Sequence, residues 1–321
     1  MLNRRRLVAA MALAPLAVPA AAAVWPQRPV RIVFPYAAGS SGDLAARLIA
    51  GRLSAIFGQP FMVENRLGAN GTIAAEVVAH SPADGDTLLC GLTPQLAISP
   101  WLMKVPYDPL KDLIPISAIS TTRFALIVNT QVPARTVGEF IEYVRAQRKQ
   151  FAYAAGGTGS VGHLAMVLLL DRAGLSGTSV SYKGNEPALA DVVGGHLPAM
   201  FSLLGDALPH AASGAIRLLA VSSAQRSPLA PDLPTVAELG YPGFDATAWL
   251  GLLAPAGTPR SIVDRVATEV VRATKDPAIV AHFAKFGIDP LGSTPAGFAA
   301  MIAADSKTWR RALEIAGLKP R

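Results

Sequence analysis

The sequence is short of cysteine, of charge and of paired histidines, and each shortage excludes something. A single cysteine, Cys90, in 321 residues rules out an intrachain disulfide and any metal site built from several thiolates. His80, His163, His196, His210 and His282 show no H-x-x-x-H or H-E-x-x-H spacing, so no metal ligand set is expected. Charged residues make up 16% of the chain and apolar residues 51%, the reverse of what a disordered chain needs. The net charge is +7, but Arg4, Arg5 and Arg6 sit together at the start, and no Lys/Arg cluster with interleaved aromatics follows. Nucleic acid is therefore not an expected partner. Beyond the first 23 residues no uninterrupted apolar run reaches the ~18 residues that suggest a membrane span.

What is present begins with an address. A short basic start leads into residues 7–23 (LVAAMALAPLAVPAAAA), an apolar stretch ending in small residues with several A-x-A choices. This is the three-part plan of a secretory leader, and Pro15 and Pro19 argue against a membrane-spanning helix. The expectation is export to the periplasm with the leader, 1–23, removed. A lone thiol suits an oxidising compartment, and Cys90, at the end of the strand-like run TLLC, reads as a small buried apolar side chain.

After the leader, strand and helix patterns alternate. Residues 30–36 (VRIVFPY) read as a strand, and apolar spacing at Leu44, Leu48, Ile49, Leu53 and Ile56 reads as the helix after it. Further strand–helix pairs run to about residue 221, and an extended 246–253 and three helices close the chain. Such alternation predicts α/β architecture with parallel sheets. The length favours two domains. Crossings near 120–124 and within the Pro/Gly-rich 227–244 divide the chain into one lobe of 24–123 plus 245–321 and an inserted lobe of 124–244. A cleft between two lobes is a common place for a small ligand.

Two loops carry the chemistry. The first, in FPYAAGSSGD, holds Tyr36, Ala37, Gly39, Ser40, Ser41 and Asp43 between a strand and a helix. Helix-start N–H groups point at any anion placed there, with Ser41 or Asp43 as the candidate cap. No Lys or Arg lies between Val33 and Ala46, so an anion would be held by amides and hydroxyls. The second loop, AGGTGSVGH, holds Gly157, Thr158, Gly159, Ser160 and His163 and spells G-x-G-x-x-G. The dinucleotide reading lacks its acid ~20 residues on, where Ser181 and Tyr182 stand. No cofactor is expected. A hydrolase reading of Ser160 and His163 lacks the G-x-S-x-G elbow and an orienting acid, since Asp171 lies far along the same helix. His163 reads instead as a hydrogen-bond donor in the cap region. Lys183 and Gly184 end a strand in YKGN, and Asp206 reads as the N-cap of the helix after FSLLG.

With both loops in place, the chain resembles the solute-binding proteins of tripartite tricarboxylate transporters, the Bug family. The resemblance rests on WPQRPVRIVFPYAAGSSGD, GQPFMVENRLGANGTIAAEVVAHSPADGDTLL, YAAGGTGSVGHLA, SYKGNEPALADVVGGHLPAMF and GLLAPAGTPRSIVDRV, in order along nearly the whole mature chain. It implies a type II-like periplasmic binding fold with parallel-rich sheets, flanking helices and a cleft between two lobes. It implies a small organic anion as ligand, membrane permease subunits as partners, a monomer, and no catalysis. In that family a ligand carboxylate is held by the loops that correspond to 36–43 and 157–163, and Leu92, Thr93 and the YKG segment line the cleft. A ligand sensor for a signalling receptor is the alternative role.

Overall fold

The computed structural model describes residues 25–147 and 150–318. The expected leader, 1–23, lies outside them. In chain order the elements are β1 (Val30–Phe34), α1 (Ser41–Phe57), β2 (Phe61–Asn65), α2 (Thr72–Ala79), β3 (Thr87–Leu92), α3 (Ser99–Leu102), β4 (Leu113–Thr122) and β5 (Phe124–Asn129). Then come α4 (Val137–Ala146), β6 (Ala152–Ala155), α5 (Val161–Arg172), β7 (Thr178–Ser181), α6 (Asn185–Val193), β8 (Ala199–Leu203), α7 (Leu204–Ala212) and β9 (Ile216–Val221). The chain closes with β10 (Ala248–Pro255), α8 (Arg260–Ala273), α9 (Pro277–Lys285), β11 (Asp289–Pro290) and α10 (Pro295–Ile315).

Six strands form one sheet in the order β11-β4-β10-β3-β1-β2, three form a second in the order β8-β5-β9, and β6 and β7 pair separately. The chain leaves the first sheet after Thr122 and enters the second at Phe124, so Arg123 alone spans the crossing. It returns after β9 to enter β10. The α/β periplasmic binding fold is the one expected, but the sheets are not parallel-rich. β1 runs parallel to β2 and β3, and β6 to β7. β10 is antiparallel to both β3 and β4, β11 to β4, and β5 to both β8 and β9. The reason is the two crossings: β4 leads the chain out, β10 brings it back, and two segments running opposite ways lie side by side.

The helices bury single apolar faces. On α8 the buried set Ile262, Val263, Val266, Ala267, Val270 and Ala273 follows the helical period. β5 (FALIVN) is buried at every position, as a central strand covered on both faces must be. Three apolar clusters result. One lies within the first sheet's outer layer, around Ile32, Ile49, Leu252 and Val266. Another belongs to the second sheet, around Ile127, Leu189 and Met200. The largest belongs to both: Val33, Leu89 and Leu253 join Leu126, Phe140, Leu164 and Phe201 through Phe298, Ile302, Trp309 and Leu313 of α10. α10 thus starts against the first sheet, where Phe298 packs edge-on to Trp249, and ends against α5 of the second lobe.

Trp309 is 1% exposed, and its indole N–H has no acceptor among the described residues. Trp309→Ala is expected to cost ~3–5 kcal/mol, as large core truncations do. Trp309→Phe keeps most of the ring and removes an unpaired donor, so it is expected to cost under ~1.5 kcal/mol. Urea unfolding of the two variants checks both; equal losses would show that α10 is not held by packing.

Candidate functional site

The two loops fold into the same turn. In the first, Gly39 has φ +84°, a conformation that glycine adopts without strain, and Ser40 follows as the N-cap of α1. In the second, Gly159 has φ +76° and Ser160 caps α5. Each serine hydroxyl accepts the N–H three residues on, from Asp43 at 3.3 Å and from His163 at 3.3 Å. Each of those third residues in turn takes the N–H of the left-handed glycine: Gly39 donates to Asp43 Oδ2 at 2.9 Å, and Gly159 donates to His163 Nδ1 at 3.0 Å. The N–H of Ser40 points back to Ala37 O and that of Ser160 to Gly157 O. The cap is therefore Ser40, not Ser41 or Asp43 as the sequence suggested, because only the residue after the left-handed glycine has extended backbone.

This reciprocal bonding leaves the first-turn N–H groups of Ser41 and Gly42, and of Val161 and Gly162, without an intrahelical acceptor. Close packing reinforces the second turn: a Cβ on Gly162 would lie 2.4 Å from Phe201 O. A Cβ on Gly159 would meet Leu102 Cδ2 at 2.9 Å, so this loop of the second lobe packs on α3 of the first.

The electrostatics of the two turns differ: one holds a charged carboxylate, the other a neutral imidazole. Asp43 is 1% exposed; burial pushes its pKa up, but Arg47, the Gly39 N–H and the Asn65 amide outweigh that and hold it below the usual carboxylate range. Arg47 Nε lies 2.9 Å from Asp43 Oδ2 and Asn65 Nδ2 lies 2.8 Å from Oδ1. The same Asn65 amide also donates to Tyr36 O at 2.9 Å, which ties the loop to β2. Burial raises the Tyr36 phenol to about 12, keeping it a neutral donor, and its hydroxyl lies 3.3 Å from Asn70 Oδ1. His163 is 4% exposed, and burial lowers its pKa to about 4. Since Nδ1 accepts from Gly159, the ring is an acceptor in the cap rather than the donor expected, with its proton on Nε2. Ser160 and His163 both serve the backbone, which is incompatible with a nucleophile–base pair between them.

A cavity of about 580 Å³ opens where the lobes meet. Ser41 at the head of α1 and Thr122 at the crossing line it from the first lobe, with Lys285, Phe286 and Gly287 at the end of α9. Leu203, Gly205, Asp206 and Leu208 line it from the second lobe. The lobes touch here backbone to backbone: a Cβ on Gly287 would lie 2.7 Å from Gly205 Cα. Asp206 is a first-turn residue of α7 rather than its N-cap, which is Leu203, because the helix begins two residues earlier than the sequence suggested. Its Oδ2 accepts from Asn185 Nδ2 at 2.8 Å, and burial raises its pKa.

Of the residues singled out in the sequence, Ser41 and Asp206 line this cavity. Tyr36, Ala37, Gly39, Ser40 and Asp43 build the turn that presents Ser41. No residue of the 157–163 turn lines this cavity; the turn connects to Asp206 only through a chain of contacts, in which Gly184 N–H donates to Gly156 O at 3.1 Å and Asn185, next to Gly184, bonds Asp206. Thr158 Oγ1 pairs with Ser181 Oγ at 2.9 Å. Lys183 is exposed and forms no ion pair among the described residues. Thr93 is fully buried, and its hydroxyl takes the Trp249 N–H at 2.9 Å; Leu92 packs against the first lobe's core. Lys285, Phe286 and Gly287 were not legible as site residues, since only the sheet order brings the end of α9 to the head of α1. Cys90 is buried, and burial raises its thiol pKa. Among the described residues no cluster of three His, Cys, Asp or Glu is placed to hold a metal, and no helix is long and apolar enough to cross a membrane.

Two lobes joined by crossing strands, with helix heads and a cavity where they meet, define a solute-binding protein of the periplasmic type. The model for the tripartite tricarboxylate transporter family receptor matches residues 45–318, and the chain belongs to that family. It is 35% identical over 324 residues to protein BugT of Bordetella pertussis, with 99% of each chain covered. Among solved structures, R. palustris Rpa4515 with adipate is similar at 34% identity and a TM-score of 0.79, covering 93% of this chain and 100% of that one. MatC from Rhodopseudomonas palustris with bound malate is similar at 32% identity and a TM-score of 0.73, covering 90% of this chain and 100% of that one. Family and structural neighbours are binding proteins, not enzymes.

The buried neutral His163 makes stability depend on acid. A base whose folded pKa is depressed supports the fold fully above its unfolded value of ~6.5 and loses that support as pH falls toward about 4. Asp305, raised to about 6 by burial, acts in the opposite sense, gaining stability as pH falls through that value. His163→Asn removes only the first contribution. Its melting temperature is expected to fall less than that of the unsubstituted protein between pH 7 and pH 4.5; an equal fall in both by calorimetry would contradict a neutral buried imidazole.

Proposed function

We propose that this chain is a periplasmic receptor that captures a small organic carboxylate and delivers it to the membrane subunits of a tripartite tricarboxylate-type transporter. The observation that carries the reading is the repeated Gly-Ser turn, which offers first-turn N–H groups at the head of one helix in each lobe, with Ser41 opening into the shared cavity. N–H groups at a helix head bind anions without a side-chain cation, and hydrogen bonds to a charged group contribute ~1.5–3 kcal/mol each. Three or four reach micromolar affinity, ~8 kcal/mol, after ordering costs are met. A cavity of about 580 Å³ suits a ligand of that size.

In this reading residues 24–123 with 245–321 form one lobe and 124–244 the other, and the ligand recruits the second lobe onto the first. Contacts made only in the closed arrangement then stabilise closure. The binding set is Tyr36, Ala37, Gly39, Ser40, Ser41 and Asp43 from one side, with Leu92 and Thr93 supporting it. Gly157, Thr158, Gly159, Ser160, His163, Lys183, Gly184 and Asp206 act from the other. The receptor works as a monomer, is exported with residues 1–23 as a cleaved leader, and uses no cofactor. The two carboxylates bound by its structural relatives, adipate and malate, support the ligand class.

The test is a thermal-shift screen of the mature chain against mono-, di- and tricarboxylates, amino acids and aromatic acids. A ligand at 100 times its dissociation constant is expected to add ~2.7 kcal/mol of stability. No shift with any of these acids would refute the proposal. Gly159→Val forces a branched side chain into a left-handed turn that already lies against Leu102, and Ser40→Pro removes the α1 cap. Each is expected to weaken carboxylate binding at least tenfold by calorimetry while the far-ultraviolet circular dichroism is retained; unchanged affinity in both would remove the turns from the site.

A further inference from the structure

The cavity between the lobes carries one acid and one base among its described lining residues, Asp206 and Lys285. Opposite charges lining one small cavity would ordinarily neutralise each other. Here they do not: among the described residues neither Asp206 nor Lys285 takes part in an ion pair. The side chain that bonds Asp206 is the neutral Asn185 amide, at 2.8 Å. Asn185 is itself fixed, since its carbonyl lies 3.4 Å from both the Ser202 hydroxyl and the Leu203 N–H. Of its titratable neighbours, Glu186 raises the Asp206 pKa and His210 acts in the opposite direction.

The rest of the lining is suited to the other sign. Ser41 stands at the positive head of α1, and Lys285 brings a full cation. A single ligand carboxylate is provided for on that side. The second lobe then presents a carboxylate of its own, held in place by an amide. Another carboxylate on the ligand would meet a like charge there, whereas an ammonium group would complete a charge-assisted hydrogen bond.

Resting on the carboxylate-binding reading above, we infer that the preferred ligand is an amino acid in the chemical sense, a carboxylate that also bears a protonated amine, and that Asp206 is the residue that selects the amine. This separates the chain from its relatives with adipate and malate, which are plain dicarboxylic acids in charge. The lining supports selection by charge rather than by size: Leu203, Leu208 and Phe286 provide apolar walls that fit the carbon chain of either kind of ligand.

The test compares span-matched ligands by isothermal titration calorimetry on the mature chain at pH 7. Succinate, glutarate and adipate are set against 4-aminobutanoate, 5-aminopentanoate and 6-aminohexanoate, and L-2-aminobutanoate and L-norvaline are added as α-amino acids. At least one amino compound is expected to bind tenfold or more tightly than any of the dicarboxylates. Asp206→Asn is expected to weaken that compound at least tenfold and to tighten the dicarboxylates, whose second carboxylate no longer meets a like charge. A dicarboxylate that binds more tightly than every amino compound overturns the inference and leaves the carboxylate reading standing, as does a preference for amines that survives Asp206→Asn. No binding by either series overturns the inference, and the wider acid screen decides the carboxylate reading separately. Should Asp206→Asn fail to fold, the comparison of ligands on the unsubstituted chain decides alone.

Discussion

The apolar contact that α10 makes with both lobes is the constraint on which the rest of the structure depends. Phe298 packs on Trp249 in the first sheet, while Trp309 and Leu313 lie in the same cluster as Phe140, Leu164 and Phe201 of the second lobe. Two sheets connected only by Arg123 and the return into β10 would otherwise be free to turn about those strands. A close-packed interior does not deform continuously, so any relative movement of the lobes has to keep this contact. The crossing is also electrostatically unusual. Arg123 pairs with Asp289 of β11, both largely out of solvent, and feels the charge of Asp245 on the return path. Burial lowers the Arg123 pKa and raises that of Asp245, and a buried pair of this kind favours one arrangement of the crossing strands more than it favours stability.

On that frame the two Gly-Ser turns repeat one arrangement. Each caps its helix and leaves the first two first-turn N–H groups without an intrahelical acceptor. Using the serine hydroxyl for the third N–H, and the third side chain for the glycine N–H, satisfies the groups that point inward and spares the first-turn amides. Asp43 and His163 fill the same position with different chemistry. The carboxylate is surrounded by three donors, one of them the Arg47 guanidinium, whereas the imidazole is kept neutral by burial and needs no cation. The positive partial charge of the helix heads remains.

The cavity shows how binding contacts and lobe contacts share residues. Gly205 and Gly287 bring the backbones of the two lobes to a separation that a side chain on either would prevent. Ser41, Asp206 and Lys285 line the cavity around this contact, so the groups that line it are set by the same approach that brings the lobes together.

The strand–loop–helix order, the buried Cys90 and the two glycine–serine turns were legible in the sequence, because they depend on local spacing: apolar period, a glycine before a cap, and the absence of Lys or Arg between Val33 and Ala46. The identity of the cap was legible only to within three residues, since Ser40, Ser41 and Asp43 are all good caps and backbone angle decides among them. Strand direction was misread because β4 and β10 pair across more than a hundred residues, and alternation of strand and helix suggests parallel neighbours. Lys285, Phe286 and Gly287 carry no local mark of a site, and the role of His163 as acceptor depends on where the Gly159 N–H points. The sequence by itself determined which segments are helix or strand and where the two glycine–serine turns fall, through side-chain pattern and turn chemistry. Only the tertiary structure decided which residues line the cavity, which charges stand there and what packs the lobes together, because these rest on contacts between residues far apart in the chain.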